Sequence, residues 1–250
     1  MDIVILTALG VGGSTVFGAV IGLIFRRTNK EFGDLVMSLS AGIMLAAAFL
    51  GLIIPSLEYG GDGGVFITSI GLFIGALLVN CFDYLLKIYN GSLGVGSKNK
   101  NISSDSLRRA LTFASAIAIH NLPEGIAAGV GFGTGNMTDG IFIATAIALQ
   151  NIPEGMAVFV ALLSVGISAG RTFVLAALTG IVEIGGTFIG YFAVSLCAPL
   201  LPFILAMAGG SMLYIICDEM IPEARSDGSH KSTYMFLFGF ALMLILDTFL

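Results

Sequence analysis

Eight runs of mostly apolar residues, each about 20 residues long, fill this chain of 250 residues. A helix of about 20 residues crosses the hydrocarbon core of a bilayer, and within lipid it satisfies its own backbone hydrogen bonds. Only 11% of the residues are charged, whereas soluble domains have about one-quarter. The pattern predicts an all-α polytopic membrane protein, an eight-transmembrane-helix bundle. The predicted spans are residues 2–25, 35–57, 64–87, 109–133, 138–165, 171–196, 200–222 and 232–250.

The lysine and arginine residues test this number of spans, because cytoplasmic loops carry an excess of them. All 11 lie at or just after the end of the first, third, fifth or seventh span. None lies in the other loops or in either terminal segment. A miscounted span would disturb this alternation. We therefore expect a multi-pass protein of the cytoplasmic (inner) membrane, with the lipid bilayer around it and both termini on the extracytoplasmic side.

The connections between the spans leave no room for a separate soluble domain. The longest of them, residues 88–107, is rich in Ser, Gly, Asn and Lys, which favours a flexible cytoplasmic loop. We expect one transmembrane domain over residues 1–250. With a net charge of −5 and no basic tract, the chain is not expected to bind nucleic acid. No Gly-x-x-x-x-Gly-Lys-[Ser/Thr] string is present, so we do not expect ATP to be a partner.

Two related hexapeptides place polar side chains deep inside the fourth and fifth spans. Residues 120–125 are His-Asn-Leu-Pro-Glu-Gly, and residues 150–155 are Gln-Asn-Ile-Pro-Glu-Gly. On a helix, the first, second and fifth side chains of each motif share a face. Each proline leaves a carbonyl four residues earlier, that of Ile119 or Leu149, without its helical donor, and we expect both helices to be kinked there. Carboxylates are costly inside a membrane, so two in the same setting indicate an ion pathway.

The polar groups on these faces are of the kinds that bind metal ions. Imidazole nitrogen, carboxylate oxygen and amide oxygen, without thiolate, suit Zn²⁺, Fe²⁺, Mn²⁺ or Cd²⁺. Such a set can bind an ion and release it again. Glu183, deep in the sixth span, is either a third metal-facing carboxylate or a protonated glutamate hydrogen-bonded within the bundle. The candidate ligands are His120, Asn121, Glu124, Gln150, Asn151, Glu154 and Glu183.

An intramembrane metal-dependent hydrolase is the alternative function, because His and Glu also form hydrolytic sites. Membrane zinc proteases of the zincin type need His-Glu-x-x-His, and no such string occurs. The second histidine of the chain, His230, is predicted to lie in a cytoplasmic loop. We therefore expect a transporter rather than an enzyme, with a transported metal ion at one or two adjacent sites and no prosthetic group.

The paired hexapeptides resemble those of the ZIP (Zrt-, Irt-like) family of divalent metal transporters, in particular its bacterial and archaeal GufA-type branch. Residues 40–47 in the second span and residues 210–224 in the seventh fit the same family. The resemblance implies import into the cytoplasm by a homodimer, with the metal between the fourth and fifth helices. It implies a main site formed by His120, Glu124, Gln150 and Glu154. It also implies an adjacent second site, bridged by the two glutamates and formed by Asn121, Glu124, Asn151, Glu154 and Glu183.

The second and seventh spans resemble each other, which is typical of transporters with inverted repeats. Residues 41–45 are similar to residues 210–214, and an Ile-Pro pair follows each segment. Spans that cross in opposite directions place Glu58 at the outer end and Glu223 at the inner end. We expect these two to mark entry and exit of the metal path, unless they are ordinary solvated charges at helix ends. Asp218 and Glu219 are expected to line the inner half.

Overall fold

The computed structural model describes residues 2–24, 30–92, 121–132, 137–164, 167–196, 198–225 and 230–249. These residues are helical almost throughout, and no strand occurs among them. A π-helical turn, Ala48–Ile53, joins α2 to α3, and another, Ile216–Met220, joins α8 to α9. The helices are α1 (Asp2–Ile24), α2 (Lys30–Ala47), α3 (Ile54–Tyr59), α4 (Gly64–Ser92), α5 (121–132), α6 (Met137–Ser164), α7 (Ala169–Leu196), α8 (Leu201–Ile215), α9 (Ile221–Ala224) and α10 (His230–Phe249).

Seven helical stretches in this part of the chain are long and apolar enough to cross a membrane. Each corresponds to one of the predicted spans. The remaining predicted span, 109–133, falls within the described ranges only over residues 121–132, which are helical. The prediction of an all-α membrane bundle is therefore confirmed. The seven stretches are Asp2–Ile24, Glu31–Tyr59, Gly61–Phe82, Gly140–Val160, Ala169–Val194, Leu201–Met220 and His230–Phe249.

The third span is longer than the sequence pattern indicated. Helix α4 continues to Ser92, five residues into the predicted loop 88–107. The helix has no proline, and its first glycine near this end is Gly91, so nothing in the sequence stops it earlier. The rest of the predicted loop, residues 93–107, lies outside the described residues.

The second and seventh spans share an unusual backbone. In each of them a π-helical turn is followed at once by a short helix whose second residue is proline, Pro55 in α3 and Pro222 in α9. A proline cannot donate to the carbonyl four residues before it, and a π-helical turn is one way for a helix to accommodate that loss. The likeness of these spans in sequence therefore extends to their backbone geometry.

Glycines bring pairs of helices into backbone contact, as is common in membrane bundles. At each of these positions a Cβ atom would overlap the main chain of the partner helix, so a larger residue does not fit without a shift. The contacts join α1 to α7 (Gly12 with Gly180), α1 to α6 (Gly18, Gly155), α5 to α7 (Gly125, Gly186), α2 to α10 (Gly42, Gly239) and α4 to α8 (Gly75, Gly210).

These contacts also correct the register of the internal likeness. The sequence comparison paired Gly42 with Ser211. In the structure Gly42 lies against a backbone carbonyl of α10, and Gly210 lies in the same way against a carbonyl of α4. Gly42 therefore corresponds to Gly210, one residue earlier than the sequence indicated. The backbone contact, which only a glycine permits, fixes this register, whereas the surrounding apolar residues do not.

One ion pair joins two helix ends that the sequence placed on the same side of the membrane. The Nζ atom of Lys231, at the start of α10, lies 2.6 Å from Oε1 of Glu31, at the start of α2. Both side chains are exposed. The ends that follow the first and seventh spans therefore meet at one end of the bundle, as the distribution of basic residues predicts.

Candidate metal centre

The polar residues of the two hexapeptides lie in the interior of the bundle, on α5 and α6. Every one of them that the structure describes is buried, and Glu183 of α7 is buried with them. The helices meet there because Gly125 of α5 lies against the carbonyl of Glu183. His120 lies outside the described residues. The buried polar set is Asn121, Glu124, Gln150, Asn151, Glu154 and Glu183.

Three carboxylates from three helices share this interior. Glu124 lies close enough to Glu183 and to Glu154, and Glu154 close enough to Glu183, for each pair to repel when ionised. Repulsion between like charges is strong where water is excluded, because little solvent screens it. A positive ion among the three carboxylates would turn this repulsion into attraction.

Several oxygen atoms of this cluster make no well-formed hydrogen bond within the part of the chain that the structure describes, although the side chain of Gln150 lies close to the carboxylate of Glu124. They are both carboxylate oxygens of Glu124, the amide oxygen of Gln150 and the amide oxygen of Asn151. Buried polar atoms in native proteins are nearly always paired with a protein group, a water or an ion. All four oxygens are of the type that binds divalent metals, so the arrangement is suited to a cation.

A hydrogen-bond network holds Glu183 from both sides. The amide nitrogen of Asn151 donates to Oε1 of Glu183 and, over 3.1 Å, to the main-chain oxygen of Val11 in α1. The hydroxyl of Thr15, also in α1, donates to Oε2 of Glu183 over 3.0 Å. Because the nitrogen of Asn151 is engaged in this way, its oxygen remains the free end of the amide. Helix α1 therefore takes part in the site, which the sequence analysis did not foresee.

A second helix supports the motif in α6 near its proline. The hydroxyl of Ser40 in α2 donates to the main-chain oxygen of Gln150 over 3.2 Å. That carbonyl lies three residues before Pro153, in the turn that the proline disrupts. Leu149 itself lines an apolar cavity of about 390 Å³ between α1 and α6. Ile119, whose carbonyl Pro123 leaves without its helical donor, lies outside the described residues.

The acidic residues assigned to the metal path differ in their surroundings. Glu219, in the second π-helical turn, is half-buried and lies near enough to Glu154, a member of the central cluster, to repel it when both are ionised. Asp218 is exposed, and its carboxylate accepts a 3.3 Å hydrogen bond from Tyr214. Glu58 in α3 is exposed and Glu223 lies in α9.

Another polar contact near this end was not found from the sequence. The amide nitrogen of Asn80 in α4 donates to the hydroxyl of Tyr214 over 2.7 Å, and Tyr214 in turn donates to Asp218. The three side chains form a chain across α4, α8 and the second π-helical turn. An asparagine and a tyrosine inside predicted spans were the available signal, but neither belongs to a motif.

Carboxylates alone do not complete a site. Among the residues that the structure describes, no three His, Cys, Asp or Glu side chains are arranged to hold a metal ion. The candidate set depends also on the amides of Asn121, Gln150 and Asn151 and on His120, which lies outside those residues.

Comparison with known proteins places this architecture in a family. Residues 96–247 match the family model described as ZIP zinc transporter. The chain is 34% identical over 253 residues to the zinc transporter GufA of Myxococcus xanthus, with 97% of each chain covered. It is 38% identical over 242 residues to the zinc transporter ZupT of Chlorobium luteolum, covering 90% of this chain and 89% of the relative. It is also 30% identical over 314 residues to the zinc transporter ZIP11 of Xenopus tropicalis, covering 94% and 93%. The chain belongs to the ZIP family of zinc transporters.

Proposed function

We propose that this protein moves divalent transition-metal ions, Zn²⁺ foremost, across the cytoplasmic membrane into the cytoplasm. Family membership makes it a divalent metal transporter and not an enzyme, as the sequence predicted. The observation that supports the proposed route is the buried cluster of Glu124, Glu154 and Glu183, in which the carboxylate oxygens of Glu124 make no well-formed hydrogen bond within the described residues. The relatives are named zinc transporters, which supports Zn²⁺. Fe²⁺, Mn²⁺ and Cd²⁺ share its preference for this mixture of ligands.

We assign the ion to two adjacent positions between α5 and α6. The main site would consist of His120, Glu124, Gln150 and Glu154. The second would consist of Asn121, Asn151 and Glu183 together with the same two glutamates. Because Glu124 and Glu154 belong to both sites, an ion could pass from one to the other while keeping part of its ligand set. Oxygen ligands hold zinc less tightly than thiolates, which suits a protein that must release its cargo.

The direction of the path follows from the charges around the cluster. Glu219 is the acidic residue of the second π-helical turn that adjoins Glu154, and we propose it as the next group that the ion meets on the inner side. All lysine and arginine residues follow odd-numbered spans, which supports extracytoplasmic termini under the positive-inside rule. The ion pair between Lys231 and Glu31 agrees with that arrangement. We also propose that the protein forms a homodimer, as the family resemblance implies.

Uptake of radioactive Zn²⁺ into proteoliposomes tests the site. We expect saturable uptake by the wild-type protein and a fall of at least about tenfold in Glu124→Gln and in Glu154→Gln, because each change removes a charge that both positions share. Asp62→Asn is the matched control, since Asp62 is an exposed carboxylate in the turn between α3 and α4 that belongs to neither site nor path, and its uptake should stay near the wild-type value. Unchanged uptake in both buried variants, at equal amounts of protein, would contradict the site.

A further inference from the structure

Helices α1 and α7 correspond to each other residue by residue. Gly12 and Gly180 each lie against the carbonyl of the other. Gly18 lies against the carbonyl of Ile152 in α6, the third residue of its hexapeptide. Gly186 lies in the same way against the carbonyl of Leu122, the third residue of the hexapeptide in α5.

Thr15 occupies, in α1, the position that Glu183 occupies in α7. Thr15 lies midway between Gly12 and Gly18, three residues from each, and Glu183 lies in the same way between Gly180 and Gly186. The two residues are 168 positions apart. The two residues also contact each other, because the Thr15 hydroxyl donates to Oε2 of Glu183. The two helices thus have equivalent backbones but carry different side chains at this position, a hydroxyl in α1 and a carboxylate in α7.

The hydroxyl has a clear physical advantage at this position. A second carboxylate there would face Glu183 across the same short distance and repel it at a buried position, where little solvent screens the two charges. A hydroxyl donates a hydrogen bond instead, and this bond is strongest when the carboxylate is ionised, as it is when it binds a metal ion. Thr15 is fully buried, so water does not compete for this bond.

The backbone contacts explain how so short a side chain reaches the carboxylate. Gly12 touches α7 one turn before Thr15, and Gly18 touches α6 one turn after it. Helix α1 is thereby held against both helices that carry Glu183 and its other partner, Asn151. Each oxygen of the Glu183 carboxylate then has one donor, and the rotation of the carboxylate is fixed.

We propose that Thr15 is a positioning residue that holds the Glu183 carboxylate in the orientation in which it binds the transported metal. This inference rests on the metal site proposed above and adds a specific role for α1, which supplies no metal ligand itself. The asymmetry between Thr15 and Glu183 means that one repeat supplies the ligand and the other supplies the group that orients it.

The test compares Thr15→Val with Thr15→Ser in the full-length protein. Valine keeps the shape of threonine but lacks the donor, whereas serine keeps the donor. We expect Thr15→Val to raise the Kd for ⁶⁵Zn²⁺ in equilibrium binding, and the KM for uptake, about tenfold, as losing a group that orients a metal ligand does. Thr15→Ser should stay within about twofold of the wild type. Thr15→Ala, which cannot overlap any neighbour, should give the same rise as Thr15→Val.

Thr187→Val is the matched control for the loss of a buried hydroxyl. Thr187 is equally buried on α7 and donates over 3.0 Å, but to the main-chain oxygen of Glu183 and not to its carboxylate. The Kd of the Thr187→Val variant for ⁶⁵Zn²⁺ should be unchanged. In a Glu183→Gln background, Thr15→Val should add less than about a twofold effect, because residues that act through each other are not additive.

The inference is overturned if Thr15→Val and Thr15→Ala bind Zn²⁺ like the wild type. It is also overturned if Thr15→Ser fails to restore binding, or if Thr187→Val raises the Kd as much. These outcomes differ from failure of the proposed function, in which Glu124→Gln and Glu154→Gln would leave Zn²⁺ uptake unchanged. If those two variants lose uptake while Thr15→Val does not, the metal site stands and the role of Thr15 falls.

Discussion

The two repeats of this transporter, α1–α4 and α7–α10, share a backbone but not a distribution of charge. Their first helices contact at equivalent glycines, and their second helices both end in a π-helical turn followed by a proline. In the first repeat that turn is wholly apolar, Ala48–Ile53, and the residue facing the carboxylate cluster is Thr15. In the second repeat the turn contains Asp218 and Glu219, and the corresponding residue is Glu183. Packing therefore sets the symmetry, and a few polar side chains break it.

That difference would give the proposed metal path a direction. A strictly symmetric pair of repeats would offer an ion the same ligands on both sides of the cluster. Here the acidic residue that adjoins Glu154 belongs to the second repeat. The equivalent turn of the first repeat offers apolar side chains at its corresponding positions. We therefore expect substitution of a shared glycine to have the same effect in either repeat. Substitution of an acidic residue should affect transport only in the second repeat, which carries it.

The largest effect should come from the shared glycine contact. Gly12→Leu and Gly180→Leu should each prevent normal assembly, because the new side chain would overlap the main chain of the partner helix, and overpacking of this kind costs about 3 kcal/mol. The yield of monodisperse protein and its melting temperature in detergent measure the effect. Gly13→Leu and Gly185→Leu are the controls, since a Cβ atom there meets open space. The packing described here would be contradicted if all four variants lost yield and melting temperature equally. It would also be contradicted if Gly12→Leu and Gly180→Leu behaved like the wild type.

A smaller effect is expected from the acidic residue that only the second repeat has. Glu219→Gln should lower the initial rate of Zn²⁺ uptake severalfold without changing the melting temperature, because it removes a charge that adjoins Glu154 on the proposed inner side. Phe49→Gln, at an exposed position in the apolar turn of the first repeat, places the same side chain in the other turn without burying it, and its uptake should stay near the wild-type value. If Glu219→Gln took up Zn²⁺ as fast as the wild type, or no more slowly than the control variant, Glu219 would not belong to the metal path.

The smallest change concerns selectivity rather than rate. Gln150→His would make the hexapeptide of α6 identical to that of α5 at its first position. A second imidazole in place of an amide should favour Zn²⁺ over Mn²⁺, since nitrogen ligands suit zinc and oxygen ligands suit manganese. Competition of Mn²⁺ with ⁶⁵Zn²⁺ uptake measures this preference. Gln150→Glu, which adds oxygen and charge instead, should shift it in the opposite direction, and an equal response to both would contradict a ligand role for this residue.

The sequence predicted the features that depend on local composition. Apolar runs and basic residues give the spans, and the paired Pro-Glu-Gly strings give the helices that meet at the centre. It did not predict Thr15, because a threonine in an apolar helix has no local pattern that connects it to a glutamate 168 positions later. The π-helical turns and the extension of α4 to Ser92 were missed for a related reason. Proline marks a disturbed helix without specifying how the helix adapts, and composition does not fix where a helix stops.

Zinc K-edge X-ray absorption of the Zn²⁺-loaded protein tests the central claim most directly. The account predicts a first shell of only oxygen and nitrogen at about 2.0–2.1 Å, which loses amplitude in the Glu124→Gln variant. Cys81 and Cys217 are free and exposed, so binding outside the cluster would have sulfur ligands available. A sulfur shell at about 2.3 Å, or a spectrum that Glu124→Gln leaves unchanged, would contradict metal binding by the buried carboxylates.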